Sequence, residues 1–338
     1  MARHVHFVGS IGLDTVEEVF ATVGSLLGGH CRRIPDGEVG GRRQWISWQY
    51  PLLRSSPYLR VDETRPIAGT GFCQLRLQEG VVPEEISFGE LGYAREARAS
   101  YLDFLEARKA GVIPTGIRFQ VCLPTPFAVM GFIAAQDVPV VAPAYERAMI
   151  GEVERLCSAI PHSDLAIQWD VCLEMVMFDG RFQGLPSFPG MEQVFAKGFA
   201  QICAPIPDDV ELGFHLCYGD MDAMHFVDPL DAGKAVDLAN LIRRSITHKI
   251  SWIHLPVPVD RKDVAYFEPL NRLDLTGGTE LYLGVVGKDG VDGTKRRIAA
   301  ASKVVSDFGI AMECGMARGR NVGTVRELLR THAAALQT

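Results

Sequence analysis

Short apolar runs rich in β-branched and aromatic residues recur along the chain, separated by longer amphipathic stretches. Eight of them are HVHFVG (4–9), CRRIPD (31–36), IRFQVCLP (117–124), LAIQWDV (165–171), VELGFHLCY (210–218), ISWIHLPV (250–257), ELYLGVV (280–286) and GIAMECG (309–315). Their length and residue types predict strands. Residues 14–27, 94–110, 144–160, 191–202, 232–244 and 294–308 carry apolar positions at helical spacing, and 322–336 closes the series. Asp14, just before TVEEVF, is the expected N-cap of the first helix. Strand-then-helix alternation implies parallel strands joined by right-handed crossovers. Eight such units predict an α/β fold, a single (β/α)8 TIM barrel spanning residues 1–338.

One stretch breaks the rhythm. Residues 54–93 carry Pro57, Pro66, Gly69 and Pro83 around a strand-like FCQLRL at 72–77. This reads as an insertion after the second strand, a hairpin and loop over the barrel mouth. Long insertions of this kind are often functional.

Composition narrows the class. With 338 residues, 47% of them hydrophobic, the chain can bury a large core without disulfides. The net charge of −7 comes from mixed acidic and basic residues, with no basic run pointing to nucleic acid. No segment reaches the roughly 18 unbroken apolar residues of a membrane span, and the N-terminus does not read as a signal peptide. Eight scattered cysteines without a C-x-x-C pair predict reduced thiols and a cytoplasmic protein.

Chemistry-capable residues gather where such a barrel keeps its active site, at the C-terminal ends of the strands. Those ends hold Ser10, Asp36 and Glu38, Asp170, His215 and Cys217, His254, and Glu313 beside Cys314. His215 and Cys217 are two apart on a strand, so both side chains face one side. Imidazole and thiolate are good zinc ligands, and Cys314 from the last strand closes the group. Taken alone, H-x-C also fits a buried Cys beside a hydrogen-bonded His. Glu38 and Asp170 offer two negative charges to an ammonium group, or pair with Arg42 or Arg43. Ser10 offers a hydroxyl and an N–H to a carboxylate, or makes an ordinary turn. Trp169, Tyr218 and Trp45 are either pocket wall or core. The His4-x-His6 pair reads as a binuclear metal motif or as two packed, hydrogen-bonded histidines.

These motifs resemble the C-terminal catalytic barrel of cobalamin-independent methionine synthases, within the superfamily that includes uroporphyrinogen decarboxylase. GFHLCYGD (213–220) is similar to the zinc-binding strand H-x-C-Y-S/G-D/E, and ECGMARG (313–319) to D-C-G-L-K-T-R. LYLGVVGKDGVDGTKRRIAAA (281–301), QWD (168–170), VGS (8–10) and GEVGGRRQWI (37–46) follow the family's remaining motifs in order. The resemblance implies Zn2+ held by His215, Cys217 and Cys314, a substrate carboxylate on Ser10, and the amino group of homocysteine on Glu38 and Asp170. The family's fourth ligand is a Glu at the end of the sixth strand. His254 stands there, as zinc ligand, general acid/base or supporting residue. The family's Q-x-D-E-P-A strand loses its Glu-Pro, reading Asp170-Val171-Cys172. The implied activity is zinc-dependent methyl transfer to a homocysteine-like thiol, with a corrinoid protein or a folate as methyl donor. The rival readings are a zinc lyase or hydrolase using metal-bound water, and a barrel with structural zinc.

Overall fold

A computed structural model describes residues 3–185, 187–219 and 224–336. Seven parallel strands form one curled sheet. They are β1 (Arg33–Pro35), β4 (Arg118–Pro124), β5 (Leu165–Val171), β6 (Glu211–Leu216), β7 (Ile250–Pro256), β8 (Glu280–Val286) and β9 (Gly309–Met312), in that order across the sheet. Two further strands, β2 (Leu59–Ile67) and β3 (Phe72–Leu77), pair antiparallel outside it. They are the hairpin expected within 54–93. It docks on the fold through Leu75, which bridges Ile133.

Helices run between successive strands, as the amphipathic pattern requires. The first, Val16–Leu27, is capped by Thr15 rather than Asp14: the Thr15 hydroxyl accepts the Glu18 N–H, and Glu18 Oε2 accepts the Asp14 N–H. The T-x-x-E spacing of a capping box carried that information. A helix expected from 144 starts at Val138 and runs through Pro143.

The sheet is not a closed eight-stranded barrel. The expected first strand, 4–9, is not a strand. Only Val5 pairs there, bridging Cys31 on one side and Ile310 on the other. Residues 4–6 thus sit between the two edges of the sheet, bonded through Val5 N–His30 O (2.9 Å) and His6 N–Ile310 O (3.0 Å). Beyond them the backbone turns to side chains. The Phe7 carbonyl accepts from Gln120 Nε2 at 2.7 Å and the Val8 carbonyl from Gln168 Nε2 at 2.5 Å.

Strand periodicity explains which residues fill the interior. Alternate residues face opposite sides, and here the large apolar ones, such as Phe119, Trp169, Phe214 and Leu283, pack toward the helices in the main core. The other parity points inward and is largely polar. At the N-terminal end Arg33 pairs with Glu211 and Glu280 while 3% exposed, and Arg118 joins Glu211. Above them lie Ala166, Trp252 and Tyr282, a separate small cluster, with the Arg33 guanidinium 4.1 Å over the Trp252 ring. Gly213, opposite Trp252 in register, makes room for that ring: a Cβ there would lie 2.0 Å from it. His6, Gln120 and Gln168 come next, all buried.

Gln168 uses its whole amide. Its oxygen accepts from His6 Nε2 (2.8 Å) and Trp252 Nε1 (3.2 Å), and its nitrogen donates to Val8 O and Asp170 Oδ1 (2.8 Å). Replacing it by Leu keeps the volume and orphans four buried groups. Each orphaned group costs about 1–3 kcal/mol, so Gln168→Leu is expected to lose at least about 3 kcal/mol and to expose residues 3–10 to proteolysis. Denaturant unfolding and limited proteolysis check this; an unchanged midpoint with an intact N-terminus would refute it.

Candidate metal centre

His215 lies near the end of β6, and Cys217 follows just beyond it. Two-residue spacing turns both inward. Cys314 comes from the far side, two residues past β9, with β7 and β8 intervening. Cys314 Sγ lies 3.5 Å from Cys217 Sγ and 3.6 Å from His215 Nε2. The three donor atoms lie within 4.8 Å of one another, and all three residues are buried. Among the described residues no other group of three or more such donors forms, so His4 and His6 have no metal partners.

The donor set fits zinc. Legs of about 2.0–2.3 Å in a tetrahedral site set donors roughly 3.3–3.8 Å apart, and the two separations from Cys314 Sγ fall in that range. Each sulfur also receives a donor that favours its thiolate: the Gly219 N–H reaches Cys217 Sγ at 3.2 Å, and Arg318 Nη2 reaches Cys314 Sγ at 3.5 Å.

His254 stands behind His215, not beside the sulfurs. The two residues are opposite in register, and their Nδ1 atoms are 2.7 Å apart. His254 belongs neither to the three-donor group nor to the cavity lining, so the fourth-ligand position drawn from the resemblance is not where its ring lies. Burial pushes His254 down to about 3 and lowers His215 well below its ordinary value, with neighbouring imidazoles adding to the effect on His215. Both rings are therefore neutral near pH 7. With Nε2 of His215 facing the sulfurs as an acceptor, its Nδ1 holds the proton and donates to His254 Nδ1. A metal-binding histidine is oriented by such a partner on its other nitrogen.

A cavity of about 410 Å³ opens onto the three donors. Glu38, Asp170 and Ser10 line it, as does Trp45. Among the described residues, Glu38 and Trp45 are the two non-glycine residues with positive φ, at 49° and 52°. Such backbone strain persists only where the surroundings fix it, and it clusters at functional sites. The Asp36 carboxylate braces this turn by accepting the Glu38 N–H at 2.9 Å. Arg42 pairs with Asp36 at 2.8 Å, and Arg43 with Asp14 at 3.0 Å, so neither arginine is an ion-pair partner of Glu38 or Asp170 at contact distance. Burial raises both Glu38 and Asp170 well above the usual carboxylate range, and for Glu38 the charge of Asp170 adds to the rise.

Of the three aromatic residues read as pocket wall or core, two lie in the core. Trp169 and Tyr218 are fully buried but do not border the cavity. Trp169 has the parity opposite to Gln168 and Asp170 and faces the helices. The wall is formed instead by Phe72, Phe132, Phe182 and Phe226, with residues 67–70 at the hairpin tip covering it. Arg318 and Cys172 also line it. No role had been read for either, although Arg318 stands in the ECGMARG motif and Cys172 ends the altered Q-x-D strand. Asp220, part of the GFHLCYGD motif, lies outside the described residues.

No protein-family model matches the chain, and no curated protein matches it. Solved structures do. One is a putative vitamin-B12 independent methionine synthase from Listeria monocytogenes, with TM-score 0.59 and 13% identity over 98% of this chain and 95% of that one. Another is a B12-independent methionine synthase from Shewanella sp. W3-18-1 in complex with selenomethionine, with TM-score 0.61 and 14% identity over 100% and 97%. At such identity the likeness is one of fold. No helix among the described residues is long and apolar enough to cross a membrane.

The buried acids make a pH prediction. A carboxyl whose pKa is higher folded than unfolded stabilises the fold at low pH, and that contribution fades as pH rises through the folded value. Glu38 faces Asp170 and Asp36 as well as Arg42 and Arg318, and its net shift is upward. With Glu38 pushed up to about 8 and Asp170 to about 7, metal-free protein should lose stability between about pH 5 and pH 8, by about 1.4 kcal/mol for each pH unit over which a carboxyl is protonated folded but ionised unfolded. Glu38→Gln should flatten that slope. Thermal unfolding across the range is the check, and parallel curves for wild type and variant would reject the assignment.

Proposed function

We propose that the protein is a zinc-dependent thiol alkyltransferase, acting most naturally as a methyltransferase on a homocysteine-like aminothiol. The observation that carries this is the convergence of His215, Cys217 and Cys314 within 4.8 Å at a cavity that also holds two carboxyls. The fold likeness to proteins named as B12-independent methionine synthases supports it.

His215, Cys217 and Cys314 would hold the metal. Zinc supplies thiolate character to a substrate thiol that is mostly protonated at neutral pH. The chain's own residues do the rest. His254 keeps the His215 ring turned with Nε2 forward. Glu38 and Asp170 accept an ammonium group, which restores charge to two acids that burial would otherwise keep protonated. Ser10, buried against Gly315, offers its hydroxyl to a substrate carboxylate. Apolar walls exclude water from the nucleophile and seat the alkyl group to be transferred. The methyl donor, a corrinoid protein, a folate or a small methylated molecule, would approach at the hairpin tip.

The cavity and His254 weigh against the rivals. The hydrolytic reading takes His254 as zinc ligand or acid/base, and His254 is fully buried behind His215 and outside the cavity lining. A purely structural zinc site has no use for a substrate-sized cavity, whereas this group borders one of about 410 Å³ that also holds two carboxyls.

Purified protein should bind about one zinc per chain, as structural and catalytic sites of this kind do, and Cys217→Ser or Cys314→Ser should abolish stoichiometric binding. Adding a selenol analogue of homocysteine should introduce a zinc–selenium distance in X-ray absorption. Metal-free wild type, or zinc that never meets the selenol, would overturn the reading. His254→Ala should weaken zinc binding about 10–100-fold by chelator competition, and an unchanged affinity would remove its orienting role.

A further inference from the structure

Cys172 is the residue that neither the resemblance nor the donor group explains. It follows β5 directly and shares the inward parity of Gln168 and Asp170. The Cys217 N–H donates to the Val171 carbonyl at 3.0 Å, extending the parallel pairing of β5 and β6 past their last residues. Cys172 is thereby held beside Cys217. Cys172, Cys217 and Cys314 make one buried cluster, packed by Trp45, Leu173 and Phe226, and Cys172 is 2% exposed. It also borders the cavity.

Three thiols and one imidazole make a complete zinc donor set. The position that the resemblance reserves for a fourth protein ligand is taken by His254, whose ring is spent on His215. We propose that Cys172 is the fourth donor of the resting centre, giving a Cys3His set from Cys172, Cys217, Cys314 and His215. The inference rests on the zinc reading above. Cys172 lies outside the tight three-donor group, so it joins by turning its side chain from Cys217 toward the shared centre. Of the four donors it is the one on the β5 side, next to Asp170 and facing the space a substrate enters.

That placement makes Cys172 the donor that an arriving substrate thiol would displace.

Zinc K-edge X-ray absorption on the full-length zinc-loaded protein, without added thiol, tests this. Wild type should show three sulfurs and one nitrogen. Cys172→Ser and Cys172→Ala should keep zinc but show two sulfurs, with lighter atoms making up the number. With the selenol analogue, wild type should exchange one sulfur for selenium, whereas Cys172→Ser should gain selenium without losing sulfur. Two sulfurs in wild type, or three in the folded Cys172 variants, would overturn the assignment while leaving the zinc reading intact. Wild type without zinc would overturn the zinc reading, and the Cys172 assignment with it. Should Cys172→Ser fail to fold, cobalt-substituted wild type gives an independent measure, since the sulfur-to-cobalt charge-transfer band grows with each thiolate; an intensity of two thiolates would count against the proposal.

Discussion

The interior amides of Gln120 and Gln168 are what make the N-terminal segment part of this fold. Residues 3–10 bring Val8 and Ser10 to the cavity, yet only Val5 pairs as a strand would. A buried carbonyl without a partner is expensive, and Phe7 and Val8 find theirs in side chains that rise from β4 and β5. The same Gln168 nitrogen bonds Asp170. One side chain thus fixes the segment that closes the gap in the sheet and one of the two acids of the site. Its four bonds are satisfied together, and a buried network of this kind is stable only while complete.

From that point the polar interior reads as a column leading to the metal-binding group. Gln168 fixes His6 with its Nε2 proton pointing at the amide oxygen. The His6 ring lies 5.6 Å from that of His254, and His254 meets His215. Burial holds these imidazoles neutral, so orientation and tautomer are carried by hydrogen bonds rather than by charge. The charged residues, Arg33, Arg118, Glu211 and Glu280, are kept to the opposite end and neutralise one another there. The separation leaves Arg318 as the guanidinium beside the sulfurs and acids of the cavity.

How far the sequence reveals this follows from what each signal encodes. The strand-and-helix rhythm found every strand of the sheet but misread residues 4–9, whose alternating His4, Val5, His6, Phe7 has the strand period. Period alone cannot tell whether the backbone bonds to a neighbouring strand or to glutamine side chains far along the chain. The H-x-C spacing placed His215 and Cys217 on one face, and Cys314 joined them because β9 brings it across the sheet. The position of His254 relative to His215 depends on the register of β6 against β7, which residue types do not specify. The choice between wall and core for Trp169 follows from strand alternation: it cannot share the cavity with Asp170, its neighbour on β5. Cys172 was visible only as a departure from a motif, and its meaning appears once Val171 is seen bonded to Cys217.

The two acids complete the logic of the cavity. Without an ammonium group, Glu38 and Asp170 are pushed toward holding a proton by burial, and Glu38 also by the charge of Asp170, against the pull of Arg318. A cationic amine makes both carboxylates favourable, so its entry should release protons as it binds. A neutral mimic gains nothing of the kind, because burial then leaves the acids protonated and without charge to offer it. Under the proposed activity, then, the cavity recognises the invariant charged end of the substrate with residues anchored to the polar interior. The changing end, where a thiol becomes a thioether, faces aromatic walls that bond neither state. That division lets the product differ from the substrate only at the sulfur, where a thioether carries no charge for a zinc ion on Cys217, Cys314 and His215 to hold, and so would favour its release.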